Sequence, residues 1–310
     1  MPKIEDDKFN PINSTVLYGY KDYFHDLSKL YESRNFPKIL LLTGEKGMGK
    51  FTFSFHLVNF FFNKGQYDSK NLTININSNF YKKILLNINE NYNYFGRRDN
   101  KKVNVDEIRQ IKKNFNTTSL NGLDRFTILD DVDLLNSNSA NALLKIIEEP
   151  SNLNYFILIN NKKKKILDTL RSRSLEVKIF HKDEDKVNIA KNLSKKFNVN
   201  LDPYYKYIHK ITPGYMIRIC SCLNSLGIEV EHELYNSAET LLDKFKKEKN
   251  EIYIESIKFL LDLNIQKRFY GENSDIIKIN FLKIKLSKLL FEYENFNLSK
   301  NSVLENLREM

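Results

Sequence analysis

The sequence contains very little cysteine and no long hydrophobic run. Its two cysteines, Cys220 and Cys222, exclude a disulfide framework and a zinc module with four thiolate ligands, and they fit a reducing, intracellular setting. The longest apolar stretch, residues 51–62, is interrupted by polar side chains and falls short of the roughly 20 residues that span a bilayer. The N-terminal residues are acidic where a signal peptide needs basic ones. We therefore expect a cytoplasmic protein with no membrane partner.

Positive charge is in excess, with 49 Lys and Arg against 39 Asp and Glu, a net charge of +10. The excess fits an anionic partner such as nucleic acid. It fits equally well a compositional bias, because Asn, Lys, Ile and Tyr are abundant throughout the chain. Hydrophobic residues make up 41% of the 310 residues, which is enough to build two or three packed domains.

Short apolar runs alternate with helical patterns over the first 180 residues. The runs predict strands at residues 39–43, 84–88, 126–129, 155–159 and 176–179. Helices are predicted at residues 50–62, from Asp106 through Ile108, Ile111 and Phe115, and at 139–149 before Pro150. This alternation predicts a parallel sheet with helices on both faces, which binds its ligand beyond the carboxyl ends of the strands.

Helical periodicity alone continues from residue 181 to the C-terminus. Pro203 and the pair Pro213–Gly214 interrupt a first short helical domain, and a second begins near residue 230. The spacing predicts core positions in the second at Leu261, Leu282, Leu286, Leu289 and Leu290. The domains are therefore expected at residues 1–180 (α/β), 181–229 (helical) and 230–310 (helical).

A glycine-rich loop follows the first predicted strand and opens a helix. Gly44, Gly47 and Gly49 allow the backbone N–H groups to converge on a phosphate, and Lys50 adds a positive charge. The alternative is a chance glycine-rich turn. Phe51 stands where a hydroxyl normally binds Mg²⁺, and Thr52, one residue later, is turned by about 100° on a helix.

Two acids end the predicted strand at residues 126–129. Asp130 is placed to bind Mg²⁺ directly or through water. Asp131 occupies the position at which a hydrolytic enzyme carries a longer glutamate base, so its carboxylate sits back from the working position. The alternative is that these acids, with Asp133, only cap a strand and solvate a turn.

Several segments together carry a resemblance. The runs at 129–136 (LDDVDLLN), 139–150 (SANALLKIIEEP) and 169–174 (TLRSRS) resemble the clamp-loader branch of the AAA+ ATPases, and within it the delta-prime family of bacterial DNA polymerase III. Segments 17–20 and 106–109 also match. The resemblance covers residues 10–218 well and the C-terminal region weakly.

The resemblance implies an AAA+ ATPase-like α/β domain, a helical lid and an all-helical collar used for oligomerisation. Its partners would be the gamma/tau and delta subunits in a five-subunit ring, the sliding clamp, and primed DNA contacted through its backbone. Arg173 would be an arginine finger that acts on the ATP site of a neighbouring subunit. From residue physics alone, Arg171 and Arg173 also fit surface salt bridges.

Three departures from the family pattern concern ATP turnover. They are Phe51, Asp131, and Ile217 in place of a phosphate-sensing arginine, with Arg218 one residue later. Asn160 and Asn161 match the polar sensor, although a polar strand end explains them equally well. ATP with Mg²⁺ is thus the candidate cofactor, although the three departures argue against its efficient hydrolysis. We expect the chain to work within the polymerase holoenzyme and to hydrolyse little ATP by itself.

Two further features concern zinc binding and DNA binding. The family's zinc-binding cysteine cluster has no counterpart between the phosphate loop and Asp130, so no zinc site is expected. The basic run at residues 162–165 fits either contact with DNA phosphates or a solvated loop. The alternative function is a self-sufficient AAA+ ATPase, such as a gamma/tau-like motor or another DNA-remodelling ATPase.

Overall fold

Five parallel strands form one sheet in the order β2-β3-β4-β1-β5. The computed structural model describes residues 8–96, 108, 122–148, 153–229, 232–269, 276–296 and 298–308, without the side chains of residues 266–280. The strands are β1 (Ile39–Thr43), β2 (Tyr92–Phe95), β3 (Arg125–Leu129), β4 (Asn154–Asn160) and β5 (Leu175–Lys178). This sheet, together with the helices on its faces and the helical C-terminal region, confirms the predicted fold class.

Apolar side chains of the central strands alternate between two cores, one on each face of the sheet. In β1, Leu40 and Leu42 belong to the first core, and Ile39 and Leu41 to the second. This follows from the two-residue repeat of a strand. The first core includes residues of α1 (Lys21–Glu32), α2 (Lys50–Phe62) and α3 (Asn79–Leu85), and the second includes residues of α4 (Ser137–Ile147) and α5 (Asp168–Ser172).

The described chain divides into two compact units. The first contains the described residues up to Phe197 with Tyr207–Tyr215, and the second contains Asn198–Lys206 and the described residues from Met216 onward. The remaining helices are α6 (Asp183–Phe197), α7 (Pro213–Ser225), α8 (Leu234–Glu248), α9 (Glu251–Phe269), α10 (Ile276–Phe296) and α11 (Lys300–Arg308). The predicted three-domain boundaries stay a prediction.

Four helices pack together in the second unit. Helix α8 contacts α9 and α11, and α10 contacts α9 and α11. Leu261, Leu286 and Leu290 are buried as the spacing predicted, whereas Leu282 and Leu289 are half-buried. Among the described residues, every helix is too short or too polar to cross a membrane.

One predicted strand is wrong. Residues 84–88 do not form a strand, because Ser78 caps a helix through the Tyr81 N–H (3.3 Å) and α3 continues to Leu85. The second strand is instead β2, which lies in the asparagine-rich segment and pairs with β3. The helix predicted from Asp106 lies outside the described residues except for the buried, helical Ile108, and so do Glu149 and Pro150.

Candidate functional site

The glycine-rich loop joins β1 to α2 at the carboxyl edge of the sheet. Gly47 and Gly49 have φ angles of 85° and 86°. Residues with a Cβ atom adopt this left-handed backbone conformation only under strain. A Cβ added to Gly44 would lie 2.7 Å from the Ile179 carbonyl oxygen. All three glycines therefore meet a steric requirement, and the backbone has the curled form that a phosphate-binding loop needs.

The loop is held from outside by the residues that begin α7. Thr212 donates its hydroxyl to the Lys46 carbonyl (2.7 Å), and the Gly214 N–H donates to the Gly47 carbonyl (3.0 Å). A Cβ at Gly214 would lie 2.6 Å from that same carbonyl oxygen. The conformation of the loop thus depends on residues that are 166 positions away in the sequence.

Lys50 lies inside the loop and is only 3% exposed. Its ammonium group donates to the carbonyls of Gly44 and Glu45, both at 2.8 Å. Burial lowers the pKa of Lys50 to about 8, while the aspartates that follow β3 act in the opposite direction. A phosphate bound in the loop would have to draw this ammonium group away from the two carbonyls.

Phe51 fills the position at which the phosphate-loop motif carries a metal-binding hydroxyl. Its ring is buried and packs edge-on against Tyr94, with ring centroids 4.5 Å apart. Thr52 is half-buried in the first turn of α2. An aromatic ring offers no oxygen to a hard cation such as Mg²⁺, so the residue at this position does not fit a magnesium site.

Asp130 and Asp131 share one amide partner beyond the end of β3. The Asn161 side chain donates from Nδ2 to Asp130 Oδ1 (2.9 Å) and to Asp131 Oδ1 (2.8 Å). Lys163 Nζ lies 3.5 Å from the same Asp131 oxygen. Burial and the charge of Asp131 raise the pKa of Asp130 to about 6, against the hydrogen bonds from the Asp131 N–H and Asn161. Asp131, in a left-handed conformation with φ of 53°, is thus engaged by two side chains.

Asp133 fixes the backbone of the basic run. It accepts from the N–H groups of Asn161 (3.1 Å), Lys163 (2.7 Å) and Lys164 (3.2 Å). This buried carboxylate therefore shapes the loop that follows β4. The alternative that Asp133 only solvates a turn is incomplete, because it binds a second loop about 30 residues away in sequence.

Asn160 faces the strand that precedes the phosphate loop. It is buried; its Nδ2 lies 3.4 Å from Thr43 Oγ1, and its Oδ1 accepts from the Lys162 N–H (2.9 Å). Of the two asparagines proposed as the polar sensor, Asn161 is the one that contacts the acids. Asn160 instead links the ends of β1 and β4.

Arg173 ends α5 at the opposite edge of the sheet. In the parallel pairing, Leu175 is level with Leu40, and Lys178 is level with Thr43. Leu175 is therefore four strand positions, or about 13 Å, from the level of Gly44, where the loop begins, and Arg173 precedes Leu175 by two residues. Its guanidinium group contacts Glu148, the residue that follows α4, at 3.2 Å. Because an arginine side chain is shorter than about 13 Å, Arg173 does not reach the phosphate loop of its own chain.

Comparison with known families adds to this geometry. A family model described as the delta subunit of DNA polymerase III matches residues 19–183, more than half of the 310-residue chain. The chain belongs to this family. The matched segment contains the phosphate loop, the two acids after β3, and Arg173.

Curated relatives of this delta-family chain come from bacteria and archaea. It is 30% identical over 166 residues to DNA polymerase III subunit delta' of Buchnera aphidicola subsp. Baizongia pistaciae, with 51% of this chain and 47% of the relative covered. It is 33% identical over 193 residues to DNA polymerase III subunit gamma of Buchnera aphidicola subsp. Schizaphis graminum (62% and 50% covered). The Replication factor C small subunit of Methanococcus vannielii is 27% identical over 199 residues (63% and 55%). The chain spans about half the length of these relatives.

Solved structures resemble the delta-family chain at low identity. A gamma subunit-related protein of DNA polymerase III from Thermotoga maritima has a TM-score of 0.49 at 14% identity and covers 92% of this chain and 96% of its own. The RuvB Holliday junction branch migration motor of Thermotoga maritima has a TM-score of 0.44 at 16% identity (96% and 86%). Because both scores are below 0.5, the fold assignment rests on the sheet and helices described above.

The delta-family chain brings most of its predicted site residues to one edge of the sheet. The loop glycines and Lys50 follow β1, Asp130 and Asp131 follow β3, and Asn160 is the last residue of β4. Arg173 lies at the other edge. Ile217 is buried in the second unit and Arg218 is exposed there.

Two contacts of this site were missed by the sequence analysis. Neither the hold of Thr212 on the phosphate loop nor the link between Asp133 and the loop after β4 was predicted. Both join segments that are distant in sequence, and a motif written along one segment contains no signal of them.

Proposed function

We propose that this chain is a clamp-loader subunit that hydrolyses ATP inefficiently by itself and supplies Arg173 to the ATP site of a neighbouring subunit. The observation that carries the proposal is the position of Arg173. It lies half-exposed at the sheet edge opposite its own phosphate loop, so it is available only to a nucleotide held by another chain. A guanidinium group offers a permanent charge and a fork of donors to a γ-phosphate.

The geometry of the chain's own nucleotide site supports inefficient turnover. Phe51 places a packed aromatic ring where a metal-binding hydroxyl is needed. Asp131, at the position of the base, is engaged by Asn161 and Lys163. ATP with Mg²⁺ is therefore proposed as a ligand of the neighbour's site, with at most weak binding in this chain's loop.

Assembly through the C-terminal helices fits the exposed surface of α10. Large apolar side chains are 52–71% exposed there, namely Phe281, Ile284, Phe291 and Phe296.

We propose gamma/tau and delta subunits as neighbours in a five-subunit ring. The sliding clamp and primed DNA would be the partners of the ring in the cytoplasm, with DNA contacted through its backbone by basic residues such as 162–165.

The experiment compares the lone chain with a ring reconstituted from it and the other loader subunits of the same organism. We expect negligible Mg²⁺-dependent ATP hydrolysis by the lone chain. Arg173→Ala should lower the rate of ATP hydrolysis at the neighbouring subunit's site by an order of magnitude or more, which lowers the ATPase rate of the ring. Arg171→Ala is the matched control, because Arg171 is bound by Glu176 through two contacts (3.1 and 3.3 Å).

A second candidate function is a self-sufficient ATPase. The formed phosphate loop, the placement of Lys50 and Asp130, and the similarity to a gamma subunit favour it. Robust turnover by the lone chain that Lys50→Ala abolishes would support this candidate and refute the leading proposal.

A further inference from the structure

Among the residues that the structure describes, the guanidinium group of Arg173 has one carboxylate partner. Its Nη2 lies 3.2 Å from Glu148 Oε1, and its Nη1 donates to the Thr169 carbonyl at 3.2 Å. The side chains of Arg173 and Glu148 are 40% and 50% exposed. Each residue directly follows a helix, α4 for Glu148 and α5 for Arg173. The contact thus directs an otherwise flexible side chain at a surface that water and a partner subunit can reach.

We propose that Glu148 is a positioning residue for Arg173. It holds the guanidinium group in a narrow range of orientations before a neighbouring subunit presents its nucleotide, and it keeps this contact while the remaining N–H donors of Arg173 turn toward the γ-phosphate. This inference rests on the proposed function of Arg173. An exposed ion pair is weakened by water and counter-ions, so the contact orients the side chain without trapping it, and less rotational freedom is lost when the phosphate binds.

Arg171 shows the contrasting arrangement two residues earlier. Glu176 receives it through two separate contacts, Nε to Oε2 at 3.1 Å and Nη2 to Oε1 at 3.3 Å. The side chain of Glu176 is 16% exposed and that of Arg171 is 48% exposed. Two contacts to one carboxylate fix the orientation of a guanidinium group more firmly than one contact does. Arg171 therefore serves the local structure, while Arg173 retains donors that can turn toward a ligand.

The backbone that carries Arg173 is anchored on both sides. Leu170 is buried in the second core of the sheet. The Ser174 hydroxyl donates to the Leu170 carbonyl at 2.6 Å. A small adjustment of the Arg173 side chain therefore suffices to contact a phosphate, without movement of α5.

The test measures ATP hydrolysis by the reconstituted ring with Glu148→Gln, Glu148→Asp and Arg173→Ala. Glu148→Gln should lower kcat roughly threefold to tenfold and leave KM for ATP unchanged, because a finger acts in the transition state. Glu148→Asp should recover most of the rate, because it keeps the charge. Glu176→Gln is the control and should leave the rate near that of the wild type. Gel filtration of each ring verifies equal assembly.

The double variant Glu148→Gln with Arg173→Ala separates positioning from a structural role. If Glu148 acts through Arg173, the double variant hydrolyses ATP at the rate of Arg173→Ala alone. Two results would refute the positioning role and leave the proposed function standing. The first is a double variant that hydrolyses ATP more slowly than Arg173→Ala. The second is a wild-type rate for Glu148→Gln when Arg173→Ala is slow. An unchanged rate for Arg173→Ala would refute the proposed function itself.

Discussion

We expect His56 on α2 to make the stability of the protein depend on pH, and the surroundings of its ring indicate the direction and size of the effect. The ring is fully buried. Its Nε2 lies 2.7 Å from the Ser14 carbonyl oxygen and therefore carries the proton, and its Nδ1 lies 2.9 Å from the Tyr67 hydroxyl and accepts. Burial lowers the pKa of His56 from its ordinary 6.5 to about 4, against a smaller opposing effect of the Ser14 carbonyl.

The direction of the effect follows from proton binding. Between pH 6.5 and about 4, the unfolded chain takes up a proton at His56 that the folded chain does not, so acid favours unfolding. At about 1.4 kcal/mol for each pH unit, the free energy of unfolding should fall by about 3 kcal/mol across this range. The full contribution is present above pH 6.5.

The perturbation that isolates this effect is His56→Gln. A glutamine can donate to Ser14 and accept from Tyr67, and it does not titrate. Urea unfolding followed by circular dichroism at pH 7.5 and pH 4.5 should show the wild type losing about 2–3 kcal/mol more than the variant. His25→Gln, at an exposed position of α1, controls for the substitution itself. An equal loss in wild type and His56→Gln would refute the reasoning.

Three further predictions concern the phosphate site. Asp130→Asn should raise the free energy of unfolding at pH 7.5 by about 1–2 kcal/mol, because it removes a carboxylate whose pKa is raised to about 6; in urea titrations the gain should disappear as pH falls toward 4. Phe51→Thr should cost about 2–4 kcal/mol in the same assay, because it leaves a cavity beside Tyr94, and an unchanged midpoint would contradict this packing role. Gly214→Ala should lower the thermal midpoint, since its Cβ would lie 2.6 Å from a loop carbonyl oxygen, whereas Gly65→Ala, with no atom within 4 Å, should not.

The strands next to the site were predictable because each is short, apolar and bounded by turn residues. Residues 39–43 and the helix at 50–62 match the structure to the residue. A strand buried on both faces reads as a continuous apolar run, and the glycine-rich loop between the two elements fixes both boundaries. The carboxyl-end placement of Asp130 then follows from parallel topology alone.

The secondary-structure prediction was wrong where local sequence pattern and tertiary packing favour different structures. Residues 84–88 contain a strand-like apolar run, but Ser78 and the following residues favour a helix, and burial of Phe80, Tyr81 and Ile84 in the first core stabilises it. Strand β2 has mixed polarity and only Tyr92 is fully buried. Its pairing with β3, which no local pattern contains, decides its structure.

The phosphate loop and Arg173 lie at opposite edges of the sheet, so the proposed function can combine a weak nucleotide site with an arginine that acts on another subunit. The phosphate loop, Phe51 and the acids lie beyond the carboxyl ends of strands, whereas Arg173 precedes β5, whose first residue, Leu175, is about 13 Å from the level of Gly44. The effects of substitutions at well-separated sites that share no contacts are nearly additive. Packing changes at Phe51 are therefore not expected to disturb the ion pair of Arg173 with Glu148. Under the proposed function, the carboxyl edge would bind the chain's own ligand, and Arg173 at the opposite edge would contact the ligand of a neighbouring subunit.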